Sequence, residues 1–314
     1  MNAAGAGRVC PADYRYTPEV FKRTPEFKTE VLYAAGGLYG NPGALDAIEA
    51  LLAEETTPAM LICNGDFHWF DAEPDWFDDI DRRVAGHAAL RGNVETEIAR
   101  AGDIGAGCGC AYPSGVATET VERSNRILSE LRAAAPPRLA AHLADLPMHG
   151  VATVGELKIG IIHGDAESLA GWNFAYERLA AADAGERLRT LRERSGIDVF
   201  ACSHTCTAAL CDLPGPRGLT VINNGAAGMP NFSGLRCGVV TRIGVSPPPR
   251  PPLYGVTRRG VHIDALPVDY DTETFLQRFL ARWPPGSPAY ASYYRRLLDG
   301  PAQALADAVI RESD

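Results

Sequence analysis

The chain has 314 residues, with 30 Lys and Arg against 39 Asp and Glu, for a formal net charge of −9. That balance excludes nucleic acid as a main partner, because no basic run supplies a phosphate-neutralising stripe; a local positive site for one phosphate stays compatible with it. A hydrophobic fraction of 46% with 22% charged residues excludes a wholly disordered chain, and no apolar run reaches the roughly 18 to 20 residues of a membrane helix.

Residues 1–29 mix Pro, Arg, Lys and aromatics without a period and are expected to form an N-terminal arm, lacking the charged, apolar and cleavage regions of a signal peptide. Short apolar or β-branched runs at 30–35, 59–64, 88–90, 157–163, 199–203 and 219–223 have strand length. Helical pattern fills the gaps: 44–55 places Leu45, Ile48, Leu51 and Leu52 on one stripe, and 118–134 and 172–194 read similarly. Segments 238–243 and 260–266 predict antiparallel strands, the proline-rich run 247–252 a surface linker, and 271–281 a last helix. The organisation expected is one α/β domain over 30–282 with a helical tail over 283–314 packed on its outside. Eight scattered cysteines form no C-x-x-C pairs, so reduced thiols and a cytoplasmic location are expected.

In α/β folds the functional groups gather where strands run out into loops. Here those positions read Gly36 to Asn41, Asn64-Gly65-Asp66-Phe67-His68, Arg91-Gly92-Asn93-Val94-Glu95, Ile162-His163-Gly164-Asp165 and Cys202-Ser203-His204-Thr205-Cys206. A carboxylate, an amide oxygen and two imidazoles converging from four strand ends make a mixed oxygen and nitrogen site. Such donors suit Mn, Fe, Zn or Ni, whereas Mg and Ca prefer oxygen alone. Taken singly, each residue has a structural reading as well, a Gly-Asp at a strand end being commonly a turn or a helix cap.

The order and spacing of these stretches resemble the calcineurin-like metallophosphoesterases, particularly small bacterial phosphodiesterase-like members. Their motifs run Asp-x-His-Gly-Asn, Gly-Asp, Gly-Asn-His-Asp or Gly-Asn-Cys-Asp, His-Gly and Gly-His-Thr-His. The matching stretches are Gly37-Leu38-Tyr39-Gly40-Asn41, Gly65-Asp66, Gly92-Asn93-Val94-Glu95, His163-Gly164 and Ser203-His204-Thr205-Cys206, with Asn223 to Pro230 similar to the loop that follows in such proteins. The resemblance covers residues 30–266. It implies a four-layer α-β-β-α sandwich of two mixed sheets, and a metal-dependent hydrolysis of a phosphomonoester or phosphodiester by activated water.

By the same resemblance one of two metals keeps all its protein ligands, Asp66, Asn93, His163 and His204, which are also the implied catalytic residues. The other loses three of four, since Gly37, Tyr39 and Cys206 stand where Asp, His and His are expected. One ion is therefore expected, and a second only if Tyr39, Cys206 or His68 rebuild its site. Against that stand blander readings: Tyr39 as pocket wall, Cys206 as a small apolar residue, His68 as an exposed loop histidine. Val94 replaces the His that assists the leaving group in many relatives.

Arg91 and Arg123 are candidate phosphate donors, Asp165 and His68 candidate neighbours of the ligands or substrate, and Cys108-Gly109-Cys110 either a tight turn or a reactive pair. The expected partner is a small phosphate ester, with no membrane association; a homodimer, common among small relatives, is a further expectation. The alternative from another class is a catalytically silent protein of this fold acting as a metal-stabilised ligand-binding or regulatory module.

Overall fold

The computed structural model describes residues 5–102, 104–215 and 217–310, so the outermost parts of the expected arm and tail, 1–4 and 311–314, lie outside the described residues. In chain order the elements are β1 (Phe27–Thr29), β2 (Val31–Ala35), α1 (Pro42–Ala53), β3 (Ala59–Asn64), α2 (Pro74–Val84), β4 (Ala88–Leu90), α3 (Asn93–Ala99), α4 (Thr118–Ala134) and α5 (Pro137–Asp145). There follow β5 (His149–Val154), β6 (Leu157–Ile162), α6 (Tyr176–Leu179), α7 (Ala184–Ser195), β7 (Val199–Cys202), β8 (Ala209–Asp212) and β9 (Thr220–Asn223). The chain closes with β10 (Gly238–Gly244), β11 (Tyr254–Arg258), β12 (Val261–Val268), α8 (Thr272–Arg282), α9 (Pro288–Asp299) and β13 (Val309–Ile310).

The strands form two mixed sheets. One runs β11-β12-β10-β2-β3-β4, with β2, β3 and β4 parallel; the other runs β1-β5-β6-β7-β9-β8-β13, with β6, β7 and β9 parallel. Side chains on a strand alternate between faces, and here both faces are apolar. Leu32 and Ala34 of β2 meet Ile159, Ile161 and Val199 between the sheets, whereas Val31, Tyr33 and Ala35 face Leu45, Ile48, Phe279 and Leu297 of the helices outside. Ile162, Phe200 and Val221 cover the second sheet's outer face under Leu188 of α7 and Phe21 of the arm. Burial on both sides of both sheets gives the α-β-β-α layering.

Local chemistry sets the element ends that matter for function. At α1 the Asn41 side chain accepts the Ala44 amide at 3.1 Å and Pro42 takes the first turn, so the helix begins directly after the first motif. The single helix expected over 172–194 is instead α6 and α7. The Asp165 carboxylate accepts the Asn173 amide at 2.9 Å and holds the preceding stretch off the helical path. Strand β5, the edge strands β1 and β13 and the strand β8 beside β13 are short or lack a periodic signal of their own, and the amphipathic helices α2 and α5 are not among the elements expected from the sequence. The proline run 247–252 is largely exposed and leads into β11.

Two segments expected at the periphery reach the strand ends. In the arm, Tyr14 donates to Glu97 at 2.7 Å, and the Gly7 carbonyl accepts the Tyr112 amide at 2.9 Å. From the tail, α9 turns Tyr293 and Arg296 toward the same place. Among the described residues no helix is long and apolar enough to cross a membrane.

Candidate metal centre

Parallel strands carry their C-terminal ends to one edge, and β3, β6 and β7 deliver Asp66, His163 and His204 there, while the start of α3 delivers Asn93. His163 Nε2 is the common point. It lies 3.1 Å from Asn93 Oδ1, 3.1 Å from His204 Nδ1 and 3.3 Å from Asp66 Oδ1. The ligating atoms of Asp66, His163 and His204 all fall within 4.8 Å of one another, and all four residues are buried.

What surrounds each donor fixes which atom faces inward. His163 Nδ1 donates to the Asn64 carbonyl at 3.0 Å, and His204 Nε2 to the Cys110 carbonyl at 3.0 Å. Each ring thereby turns its lone pair to the centre. Asn93 Nδ2 donates to the Cys108 carbonyl at 2.9 Å, which aims its oxygen at the same point. Two imidazole nitrogens, an amide oxygen and a carboxylate then meet at one point, a donor set that suits a borderline transition metal.

Electrostatics follow the same geometry. Burial alone would raise the Asp66 carboxyl, but the His163 and His204 imidazoles outweigh it and hold it below its ordinary value. Burial, with His163 beside it, drives the His204 imidazole down to about 3. His163 is lowered by burial yet raised more by Asp66, and ends above the usual histidine value.

The backbone is strained where these groups are placed. Five non-glycine residues among those described have positive φ, and Tyr39 at 53°, Asp66 at 53° and Cys206 at 55° all line one pocket. Such conformations cost of order 1 kcal/mol each and persist where the surroundings over-determine them, which is typical of functional sites. Gly65, at φ 94°, allows close approach: a Cβ there would lie 2.6 Å from His163 Nδ1 and from the Gly92 backbone.

That pocket, of about 170 Å³, opens over Asp66 and His204. Trp69, Tyr112, Trp172 and Tyr293 form much of its wall, Arg296 stands at its side, and Val94 presents no ionisable group to it. Tyr39 packs on Gly37, where a Cβ would meet its Cε2 at 3.0 Å, and its hydroxyl lies 2.7 Å from Cys206 Sγ. Gly37, Tyr39 and Cys206 thus pack together at one side of the pocket.

Several candidates lie elsewhere. His68 is not an exposed loop histidine and does not line the pocket: its ring is fully buried, bonded to Asp71 Oδ2 at 2.6 Å and stacked on Phe77 at 3.6 Å. Its Nδ1 and one ring face are engaged in the helical layer, and its Nε2 lies 4.0 Å from Asp81. Arg91 donates to the Ala144 carbonyl and Arg123 is half-buried on α4, and neither lines the pocket. Asp165 orients no imidazole. Its oxygens accept the amides of Glu167, Ser168 and Asn173 at 2.8 to 3.0 Å, folding the loop that brings Trp172 to the pocket. Cys108 and Cys110 act through their carbonyls, on Asn93 and His204.

Residues not singled out from the sequence include Glu95. Its carboxylate accepts the Asp66 and Gly92 amides at 2.8 Å each and the His68 amide at 3.3 Å, locking the Asp66 loop to the start of α3. Glu at the third position of a helix is a readable capping signal. Trp69, Tyr293 and Arg296 carried no such signal.

The fold is like that of a solved metallophosphoesterase. It matches a metallophosphoesterase from Sphaerobacter thermophilus over 86% of this chain and 100% of that one, at 14% identity and a TM-score of 0.52. It also matches a hypothetical protein from Pyrococcus horikoshii OT3 over 87% and 99%, at 15% identity and a TM-score of 0.57. At these identities the likeness is one of fold. No family model matches the sequence, and no curated protein does.

Proposed function

We propose that the protein is a metal-dependent phosphoesterase working with a single transition-metal ion, Mn, Fe, Zn or Ni, held by Asp66, Asn93, His163 and His204. The observation that carries this reading is the meeting of four donor atoms at His163 Nε2, with the outer nitrogen of each ring engaged by a backbone carbonyl. Such an ion supplies Lewis acidity toward a phosphoryl oxygen and lowers the pKa of water. The chain's own part is to orient those donors, to exclude bulk water with the aromatic walls, and to place the Arg296 guanidinium beside the phosphoryl group. Val94 cannot protonate a leaving group, so esters of acidic alcohols should react fastest.

A second reading, a silent ligand-binding module, is favoured by one observation, the Tyr39 ring packed on Gly37 where a second ion's ligand would project. One experiment separates the two. The unchelated protein is analysed for metal and assayed on p-nitrophenyl phosphate and bis(p-nitrophenyl) phosphate. About one ion per chain with turnover that disappears in Asp66→Asn supports the esterase. An ion without turnover supports the module, and absence of any ion overturns both.

A further inference from the structure

One buried polar group of the pocket wall reaches no acceptor in hydrogen-bond geometry. The chain has four tryptophans. Trp76 donates to the Gly40 carbonyl at 2.7 Å, Trp283 to the Phe70 carbonyl at 2.8 Å and Trp172 to the Cys110 carbonyl at 2.9 Å. Trp69 lines the pocket and is 2% exposed, yet its Nε1 finds no acceptor. Its ring meets Tyr293 edge-on at 6.4 Å, and the indole N–H acts as a donor toward that hydroxyl, favouring its ionised form, without reaching full hydrogen-bond geometry. Leaving a buried N–H unpaired is costly, and a phenylalanine would fill the wall without that cost.

A cationic donor stands by the same pocket. Arg296 is clamped by α9, its Nε donating to the Pro230 carbonyl at 3.1 Å and its Nη2 to the Cys206 carbonyl at 2.7 Å, which leaves the Nη1 hydrogens outside these bonds. An indole N–H, a guanidinium and the four-donor centre therefore border one small space. That combination matches a ligand with several anionic oxygens.

Size narrows the ligand further. A space of about 170 Å³ resembles the cavity of roughly 150 Å³ that holds a benzene, and falls below the roughly 300 Å³ at which drug-sized pockets begin. It takes a phosphoryl group with a compact organic group.

We propose that Trp69 binds the substrate by donating its indole N–H to a non-bridging phosphoryl oxygen, opposite Arg296, and that the substrate is a small phosphomonoester. This rests on the reading of the pocket as a phosphoryl site, and it is tested by binding as well as by turnover. Inorganic phosphate is titrated calorimetrically into Mn-loaded wild type and Trp69→Phe, with metal content measured on both.

The expected result is unchanged metal content and a Kd raised about tenfold or more in Trp69→Phe. The ligand-free variant should melt no lower than wild type, because the change removes an unpaired N–H; a merely structural Trp69 would give the opposite pattern. Should Trp69→Phe fold poorly, Arg296→Lys is the second variant, expected to weaken phosphate binding by a similar factor. Phosphate that binds both proteins within about twofold overturns the proposal while leaving the metal reading intact. If the protein takes up no metal, the metal reading falls, and the same titration on that protein still decides: a Kd dependent on Trp69 supports the proposal and an indifferent one overturns it. Faster hydrolysis of bis(p-nitrophenyl) phosphate than of p-nitrophenyl phosphate overturns the assignment to small monoesters.

Discussion

The Tyr39 hydroxyl lies 2.7 Å from Cys206 Sγ, so two of the three residues that stand where a second metal's ligands are expected touch each other. The third, Gly37, lies beneath the Tyr39 ring. Burial pushes both the phenol and the thiol above their ordinary values, which keeps them neutral and makes them a packing unit. Gly37, Tyr39 and Cys206 thus pack as one unit, so a change at one is felt by the others.

That dependence predicts how reversion behaves. Gly37→Asp alone introduces a Cβ at φ 65°, at 3.0 Å from Tyr39 and 3.2 Å from the Ala226 backbone, and should cost about 1 to 3 kcal/mol. Adding Tyr39→His and Cys206→His removes the ring and should restore most of that stability while raising bound metal from about one toward two ions per chain. Thermal melts and elemental analysis of the single and triple variants check both statements. A triple variant that stays at one ion would show that the surrounding aromatic side chains close the second position.

Glu95 should prove as sensitive as a metal ligand, although it touches none of the four inward-facing donor atoms. Its two oxygens take three backbone N–H groups, among them that of Asp66. Glu95→Gln puts an NH2 against one or more of those donors, so a loss of about 1 to 3 kcal/mol is expected, together with faster metal release to a chelator. Denaturant titration and the release rate measure the two separately. Loss of stability without faster release would mean that the Asp66 loop keeps its shape by other contacts.

How legible these residues were follows from what each does. Asp66, Asn93, His163 and His204 could be picked out because side-chain chemistry at a strand end leaves a local pattern, and the two-sheet layering because strands such as 157–162 and 199–202 are apolar on both faces. The carbonyls of Cys108 and Cys110 were invisible, since a backbone acceptor has no residue type. Trp69 and Arg296 were missed because the sequence separates them by more than two hundred positions and only the path of α9 joins them. His68 misled because proximity in sequence to Asp66 says nothing about which layer its ring enters, and α2 captures it on Phe77.

The docking of the N-terminal arm should depend on pH through His149. Burial, reinforced by the Arg23 guanidinium 3.0 Å from its Nδ1, lowers this imidazole below its ordinary 6.5, while Tyr16 and Phe21 pack edge-on against it. The folded protein therefore binds fewer protons than the unfolded chain over this range. Stability is full above 6.5 and declines as pH falls through 6.5 toward the folded value. Unfolding free energies between about pH 8 and pH 5 should show a smaller decline in His149→Gln than in wild type. Equal slopes would assign the acid sensitivity to other groups.

Metal removal gives the most direct test of the centre. If four unprotonated donors meet at His163 Nε2, a bound ion stabilises the fold by mass action, about 2.7 kcal/mol at a free concentration about a hundred times its Kd. For a chain of this size that corresponds to a fall in Tm of about 4 °C on chelation. In His163→Ala the centre loses the atom that the other three donors share, so the variant should melt at the same temperature with and without chelator. A wild-type Tm indifferent to chelator would mean that the donors settle as a hydrogen-bonded knot, with a proton on His163 in place of the ion. The same melts repeated with added Mn, Zn, Fe or Ni salts would then identify the ion whose addition to the chelated protein restores the largest share of the loss, since only a cation bound to the folded state shifts the equilibrium.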